Sequence, residues 1–408
     1  MVMKHTKVGI IGAGLTGLIA AKALSSKGVE VSVFEKLSQP GGRMRTENID
    51  GWKLDVGFQV LLTAYPYLKK HVEFSKLNTF TVEAAATIFR DGKTTAVGDP
   101  FRTKNILFKT MFSDIGSIKD KWLIFQLKRY VDKRSIDYIF DERNRTTIEF
   151  LQEFGFSQQI IDRFFKPFFG GIFLENQLTT SSRMFLFVFK MFSKGNAVIP
   201  KAGISAVARL LEAKSINAKF NYNCEITKVD QETIHFKNGE KQSFDYVINT
   251  IPNYGKRKDL DQWQNCYNLY FEHSAPAIIK QARIGLNANE NRLINNIFYP
   301  SVHQSPQDKK GKSLISVTVL NSNGLKEIQI IEKVIQELRA DFNIKDARLI
   351  KMYEIPYALP KLDGPVNTIS FDQSTKTFEV GDFLMNGSQN AACKIGEMVA
   401  ERILEDLG

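Results

Sequence analysis

The strongest constraint on the fold is a glycine pattern held between two apolar runs. Lys7-Val8-Gly9-Ile10-Ile11 has the length and composition of a buried strand, and Gly12-Ala13-Gly14-Leu15-Thr16-Gly17 follows it directly. Leu18 to Lys27 is rich in Ala and Leu and predicts a helix stopped by Gly28; Val29 to Phe34 predicts a second strand, ending in Glu35. Strand, Gly-x-Gly-x-x-Gly, helix, strand and acid together form a dinucleotide-binding βαβ unit. Gly12 allows the tight turn out of the strand, since glycine adopts positive φ at no steric cost. A pyrophosphate can approach Gly14, which has no Cβ, and Gly17 allows the helix to sit close to the sheet. The helix N-terminus then presents N–H groups and about half a positive charge to phosphate. Glu35 can accept hydrogen bonds from both ribose hydroxyls, and its charge repels a 2′-phosphate.

Two further segments narrow the nucleotide. Pro40-Gly41-Gly42-Arg43-Met44-Arg45-Thr46 follows Glu35, and Asp50-Gly51-Trp52-Lys53-Leu54-Asp55-Val56-Gly57 comes next. On these residues the chain resembles the superfamily of FAD-dependent amine oxidases, phytoene desaturases and protoporphyrinogen oxidases, which extends the βαβ unit with Gly-Gly-Arg and Asp-x-Gly. The resemblance implies FAD contacts from Gly12 through Gly17, Ala13, Leu15 and Thr16 included, and from Glu35 and Lys36. It adds Gly41, Gly42, Arg43 and Met44, then Gly57, Phe58 and Gln59. Paired glycines let a backbone lie flat against a flavin, and Arg43 brings a cationic fork to the pyrophosphate.

The same resemblance orders the rest of the chain. Pro200-Lys201-Ala202-Gly203-Ile204 resembles the family's return to the nucleotide domain, with adenine contacts expected near Ile226 and a flavin approach at Pro252. Gly381-Asp382 and the helix opening at Asn390-Ala391-Ala392 match its second nucleotide motif. Asp382 is then expected on the ribityl chain, and the N–H groups of Ala391 and Ala392 on the flavin's pyrimidine edge. The implied fold is α/β: a discontinuous Rossmann-type FAD-binding domain (1–70, 196–254, 351–408). Into it is inserted an α+β substrate domain of mixed sheet and helices (71–195, 255–350).

Locally, Asp91-Gly92 predicts a hairpin, and Ile118 to Phe140 one or two surface helices. Thr146-Thr147-Ile148-Glu149 predicts a capped helix ending at Gly155. Ser157 to Lys166 predicts a helix interrupted at Pro167, Ala277 to Ile284 a strand, and Leu325 to Phe342 an amphipathic helix. The 31 phenylalanines concentrate between Phe164 and Phe192, too many for one helix face. Most suit ordinary core and the remainder an apolar tunnel, which is how the resembled desaturases hold isoprenoids.

The expected reaction is removal of two hydrogens, with hydride passing to flavin N5. The resemblance offers Lys280 as the lysine that holds a water in some amine oxidases, and Tyr357 as one wall of an aromatic cage. The five histidines are scattered, so no metal site is expected, and Cys224, Cys266 and Cys393 show no metal or redox spacing. Cys393 does not stand where covalently flavinylated members place theirs, so the expected FAD is non-covalent. Isolated cysteines and an N-terminus that enters a core strand at once suit a cytoplasmic protein without signal peptide. A net charge of +11, without a nucleic-acid module, points to an anionic membrane surface as peripheral partner; plain lysine-rich solvated surface explains it equally well. Three functions follow: a desaturase or dehydrogenase of an apolar, carotenoid-like substrate; an amine oxidase releasing peroxide; and a redox-neutral flavin isomerase or binding protein.

Overall fold

In the computed structural model, which describes residues 6–98, 114–251, 262–304, 309, 311–322 and 324–408, the glycine pattern sits where a βαβ unit puts it. Strand Lys7–Ile11 leads through the Gly12 turn into helix Leu15–Ser25, and strand Glu30–Phe34 returns parallel to the first. Three parallel strands from far along the chain complete the sheet. Ala218–Asn221 pairs outside Glu30–Phe34; Tyr246–Asn249 and then Thr377–Glu379 add on the other side of Lys7–Ile11. The central strands Lys7–Ile11 and Tyr246–Asn249 are buried on both faces, so they read as continuous apolar runs rather than alternating ones.

The C-terminal helix Gln389–Asp406 crosses helix Leu15–Ser25 at close range. A Cβ on Gly396 would lie 2.5 Å from the Thr16 carbonyl oxygen, so only glycine allows this approach. Val399, Ala400 and Ile403 pack there with Ala20, Ala21 and Leu24. This crossing brings the first and last sequence motifs together.

The second sheet has seven strands in the order Arg348–Pro360, Trp263–His273, Ser313–Val319, Ile294–Phe298, Ile284–Asn287, Ala85–Arg90, Lys93–Gly98. All its pairings are antiparallel except the one between Ile284–Asn287 and Ala85–Arg90. The expected hairpin forms with Asp91 at φ 48° and Gly92 at φ 70°, the positive pair that a two-residue turn with right-handed strand twist needs. The strand expected from Ala277 to Ile284 begins only at Ile284, and the preceding residues are irregular. Helix Glu327–Phe342 covers one face with Ile330, Val334 and Leu338 against Leu269, Phe271, Ile315 and Val317. The opposite face carries the alternate residues, of which Tyr270 and Leu314 pack on strand Trp52–Asp55.

A helical layer closes the molecule. The stretch 118–140 forms two helices, Ile118–Asp132 and Ile136–Asp141, and the Thr146/Glu149 capping box opens Thr147–Phe154, which ends at Gly155 in the left-handed region. Pro167 does not break the phenylalanine-rich helix as the sequence suggests. Helix runs from Gln158 to Phe173, with a π turn over Ile161–Phe165 just before the proline. Proline has no N–H for the carbonyl four residues back and its ring crowds that carbonyl; widening the preceding turn relieves both. The following helix, Ser182–Lys194, buries Phe185, Phe187 and Met191.

Candidate active site

One cavity of about 1050 Å³ runs from the Gly12 turn to the phenylalanine-rich helices. Its first half is built largely from backbone. Gly12 stands at φ 94°, and a Cβ on Gly17 would come within 2.1 Å of the Gly12 carbonyl oxygen, so both positions require glycine. Gly14 is different. Its φ of −73° suits any residue and its missing Cβ would meet nothing within 4 Å, so its absence leaves groove space open. Glu35 is buried at the rim, one carboxylate oxygen accepting from Ala13 N–H at 2.8 Å and the other from Leu37 N–H at 2.9 Å. Each oxygen keeps a lone pair for a ribose hydroxyl.

Gly12, Gly14, Leu15 and Thr16 line the cavity, with Glu35, Lys36 and the Gly41–Met44 segment; Gly57, Phe58 and Gln59 line it further along. Ala13 and Gly17 stand behind this surface, Ala13 fully buried. Asp382 arrives from the far end of the chain and accepts a 2.5 Å hydrogen bond from Arg43, whose other guanidinium nitrogen donates to the Ala358 carbonyl at 3.2 Å. The Gly12 turn, Arg43 and Asp382 therefore share one wall. Gln59 secures the loop by donating to the Arg43 carbonyl at 2.7 Å.

Other expected contacts fall elsewhere. Ile226 packs beside Phe34 and Phe236 rather than lining the cavity, and Gly381 lies behind Asp382. The Asn390 side chain accepts from Tyr67 N–H at 2.9 Å and acts as a tether. Ala391 N–H donates to Ser388 Oγ, and Ala392 N–H to the Ser388 carbonyl, so neither is available to a ligand. What this helix end presents to the cavity is its dipole, Ala392 and Gln389, whose buried Oε1 lacks a hydrogen-bond partner among the described residues. The open space at Gly14, the spare lone pairs of Glu35 and this orphaned oxygen fit a bound dinucleotide. Pro252 lies outside the described residues.

The second half is built from side chains. Phe164, Phe165, Phe168, Phe169 and Phe173 line it with Met184 and Phe189, whereas Phe185 and Phe187 pack behind them in the core. Its floor is the polar face of the seven-stranded sheet: Cys266, Asn268, Asn296 and Thr318. Ser316 Oγ donates to Asn268 Oδ1 at 3.1 Å, Asn296 Nδ2 to Thr318 Oγ1 at 3.2 Å, and Asn295 Nδ2 reaches the Pro167 carbonyl at 3.2 Å. Asn268 Nδ2 has no hydrogen-bond partner among the described residues. Burial pushes the Cys266 thiol up to about 12, so it is neutral at physiological pH.

Tyr357 lines the cavity and packs edge-on to Trp263, with ring centroids 5.8 Å apart; Trp263 in turn meets Phe383. Trp263, which the sequence did not single out, lines the cavity beside Tyr357. Lys280 is not brought here: it is exposed, in the irregular segment before Ile284, because the strand expected to carry it does not form. Sequence reading also missed the polar floor. Its signal was present in Cys266-Tyr267-Asn268-Leu269-Tyr270-Phe271 and Ser316-Val317-Thr318-Val319, where polar and apolar residues largely alternate on a sheet buried on both sides.

Among the described residues, each carboxylate lining the cavity is already engaged. Glu35 holds backbone, Asp382 holds Arg43, and Glu83 accepts from Arg283 Nε at 2.8 Å.

The family model described as flavin containing amine oxidoreductase matches residues 15–354. Among curated proteins, the 4,4'-diapophytoene desaturase (4,4'-diaponeurosporene-forming) of Staphylococcus aureus (strain Newman) is 45% identical over 56 residues, which is 14% of this chain and only 11% of that protein's length. Solved structures match over nearly the whole fold. An oxidoreductase from Methanosarcina mazei is 18% identical with a TM-score of 0.72, over 96% of this chain and 99% of that one. Putrescine oxidase bound to putrescine is 16% identical with a TM-score of 0.71, over 98% and 99%. Reduced UDP-galactopyranose mutase is 17% identical with a TM-score of 0.66, over 98% and 96%. At these identities the structures establish a shared fold.

Proposed function

This chain belongs to the flavin-containing amine oxidoreductase family, and we propose that within that family of FAD-dependent oxidoreductases it removes two hydrogens from an apolar, isoprenoid-like substrate. Bound non-covalently, FAD supplies a hydride acceptor at its N5. The chain's own residues do the rest. The Gly12–Gly17 turn and the N-terminus of helix Leu15–Ser25 bind pyrophosphate, and Glu35 takes the ribose hydroxyls. Arg43, held by Asp382, keeps a positive charge beside the groove and leaves the buried Asp382 carboxylate paired. The phenylalanines exclude water and hold an extended apolar molecule, while Tyr357 and Trp263 confine it on a second side.

The observation that carries this reading is the state of the lining carboxylates. An ammonium substrate needs a carboxylate to replace its lost hydration; Glu83 and Asp382 are each paired with an arginine, and Glu35 holds backbone N–H groups at the nucleotide end, where its spare lone pairs go to the ribose. A hydrocarbon needs none. The short 45% identical stretch in a protein named as a diapophytoene desaturase supports the same reading. An apolar substrate of this kind dissolves in membranes, and the net charge of +11 favours contact with an anionic bilayer.

The test is an anaerobic titration of the purified flavoprotein. Acyclic isoprenoid polyenes in detergent micelles should bleach the oxidised flavin bands, and putrescine and other small amines should leave them intact. Bleaching by amines with peroxide release in air would make this an amine oxidase. A tightly bound flavin that none of these compounds reduces would make the chain a redox-neutral flavoprotein.

A further inference from the structure

Helix Ile118–Asp132 has two apolar faces, and the core accounts for one. Leu123, Leu127 and Val131 are buried beneath it. On the other side Ile118 is 84% exposed, Trp122 57% and Phe125 41%. Their spacing of i, i+4 and i+7 places them in a single outward stripe. Isolated exposed hydrophobics need no explanation; three large ones aligned on one helix do. Lys119 and Lys133 flank the stripe on one side, Lys121 and Lys128 on the other, and Arg129 continues it. The helix's own acids do not offset this charge at the surface: Asp120 is buried, accepting from Ser117 and Ser157, and Asp132 pairs with Lys194 at 3.1 Å.

The same helix is part of the cavity wall, contributing Lys121, Ile124, Phe125 and Lys128. The outward stripe and the apolar chamber therefore meet along one element. We propose that this helix is the docking surface by which the protein rests on an anionic lipid bilayer, setting the cavity against the hydrocarbon from which an apolar substrate enters. The proposal rests on the apolar-substrate reading above and deepens it. A helix of fifteen residues, about 22 Å long, can lie flat at the headgroup level, with Ile118, Trp122 and Phe125 below and the lysines among lipid phosphates. Charge decides between this occupant and a second copy of the chain. Pairing two such faces would set Lys119, Arg129 and Lys133 against their own copies, whereas an anionic surface neutralises them.

The experiment uses the whole flavoprotein and vesicles of phosphatidylcholine containing about 30 mol% phosphatidylglycerol. Trp52 and Trp263 are 1% and 5% exposed, so a change in tryptophan emission on adding vesicles reports on Trp122. The proposal expects co-sedimentation with a blue shift, and at least about a tenfold loss of vesicle affinity in I118S/W122S, whose flavin spectrum and melting temperature stay unchanged. K119E/R129E should lose affinity for the anionic vesicles comparably. Equal binding to pure phosphatidylcholine, unshifted emission, or unimpaired binding by I118S/W122S would each overturn it. So would a concentration-dependent dimer in sedimentation velocity that I118S/W122S abolishes. Vesicle binding by a protein whose flavin isoprenoids do not bleach would keep the docking surface and remove the substrate reading; bleaching without vesicle binding would do the opposite.

Discussion

The two halves of the cavity are made of different materials. At the nucleotide end the chain uses the absence of side chains: Gly12, Gly14 and Gly17 open a groove, and backbone N–H groups and helix ends supply the polarity. At the substrate end it uses bulk: five phenylalanines from one helix wall a chamber over a hydrogen-bonded polar floor. A groove cut from backbone is fixed by local conformation, so an added carbon either clashes, as at Gly17, or fills the open groove, as at Gly14. A chamber built from side chains can change shape one rotamer at a time and still leave the fold standing.

Glycine substitutions give the largest effects. Gly17→Ala drives a methyl into the Gly12 carbonyl, so it should cost several kcal/mol of stability along with flavin binding, seen as a large fall in melting temperature. Gly14→Ala should leave the melting temperature of the flavin-free protein within about 1 °C of the parent while weakening flavin on the order of 100-fold, measured by fluorescence titration. If both variants lose stability equally, the groove is not the open space inferred here.

A smaller effect separates wall from core at the other end. Phe185→Ala, behind the wall, should cost about 3–5 kcal/mol in chemical denaturation. Phe168→Ala, which faces the chamber, should cost about 1 kcal/mol and act chiefly on substrate affinity. Equal losses would mean that the chamber is ordinary core.

The last effect concerns Asp55, whose backbone carbonyl accepts from Tyr270 of the seven-stranded sheet at 2.9 Å. Burial pushes its carboxyl up to about 6, against hydrogen bonds from Thr46 Oγ1 at 2.6 Å and Ile204 N–H at 3.0 Å. A raised acid favours the folded state while neutral: its contribution is full below about 4 and is lost as pH rises through about 6. Asp55→Asn should therefore flatten the stability profile between pH 4 and 6 and raise stability at pH 7 on the order of 2 kcal/mol. Urea midpoints measured across that range decide it.

How much the sequence reveals follows the same division. The βαβ unit, the 118–140 helices, the Thr146 cap and the Asp91-Gly92 hairpin were legible because each depends on residues within one or two turns of chain. Lys280 was misplaced because the run from Ala277 has strand composition yet stays irregular until Ile284, and pairing with a distant strand has no local signal. Ala391 and Ala392 were assigned to a ligand although Ser388 takes both N–H groups, that of Ala391 with its capping side chain and that of Ala392 with its carbonyl.

By itself the sequence determined a dinucleotide groove, because the steric demands of glycine and of a helix terminus are local and leave a fixed spacing. Only the tertiary structure decided which phenylalanines face space rather than one another, that Trp263 stands beside Tyr357, and that Arg43 meets Asp382 across 339 positions. Those outcomes depend on how two sheets and a helical layer close on each other, and packing between distant segments leaves no period in the chain to read.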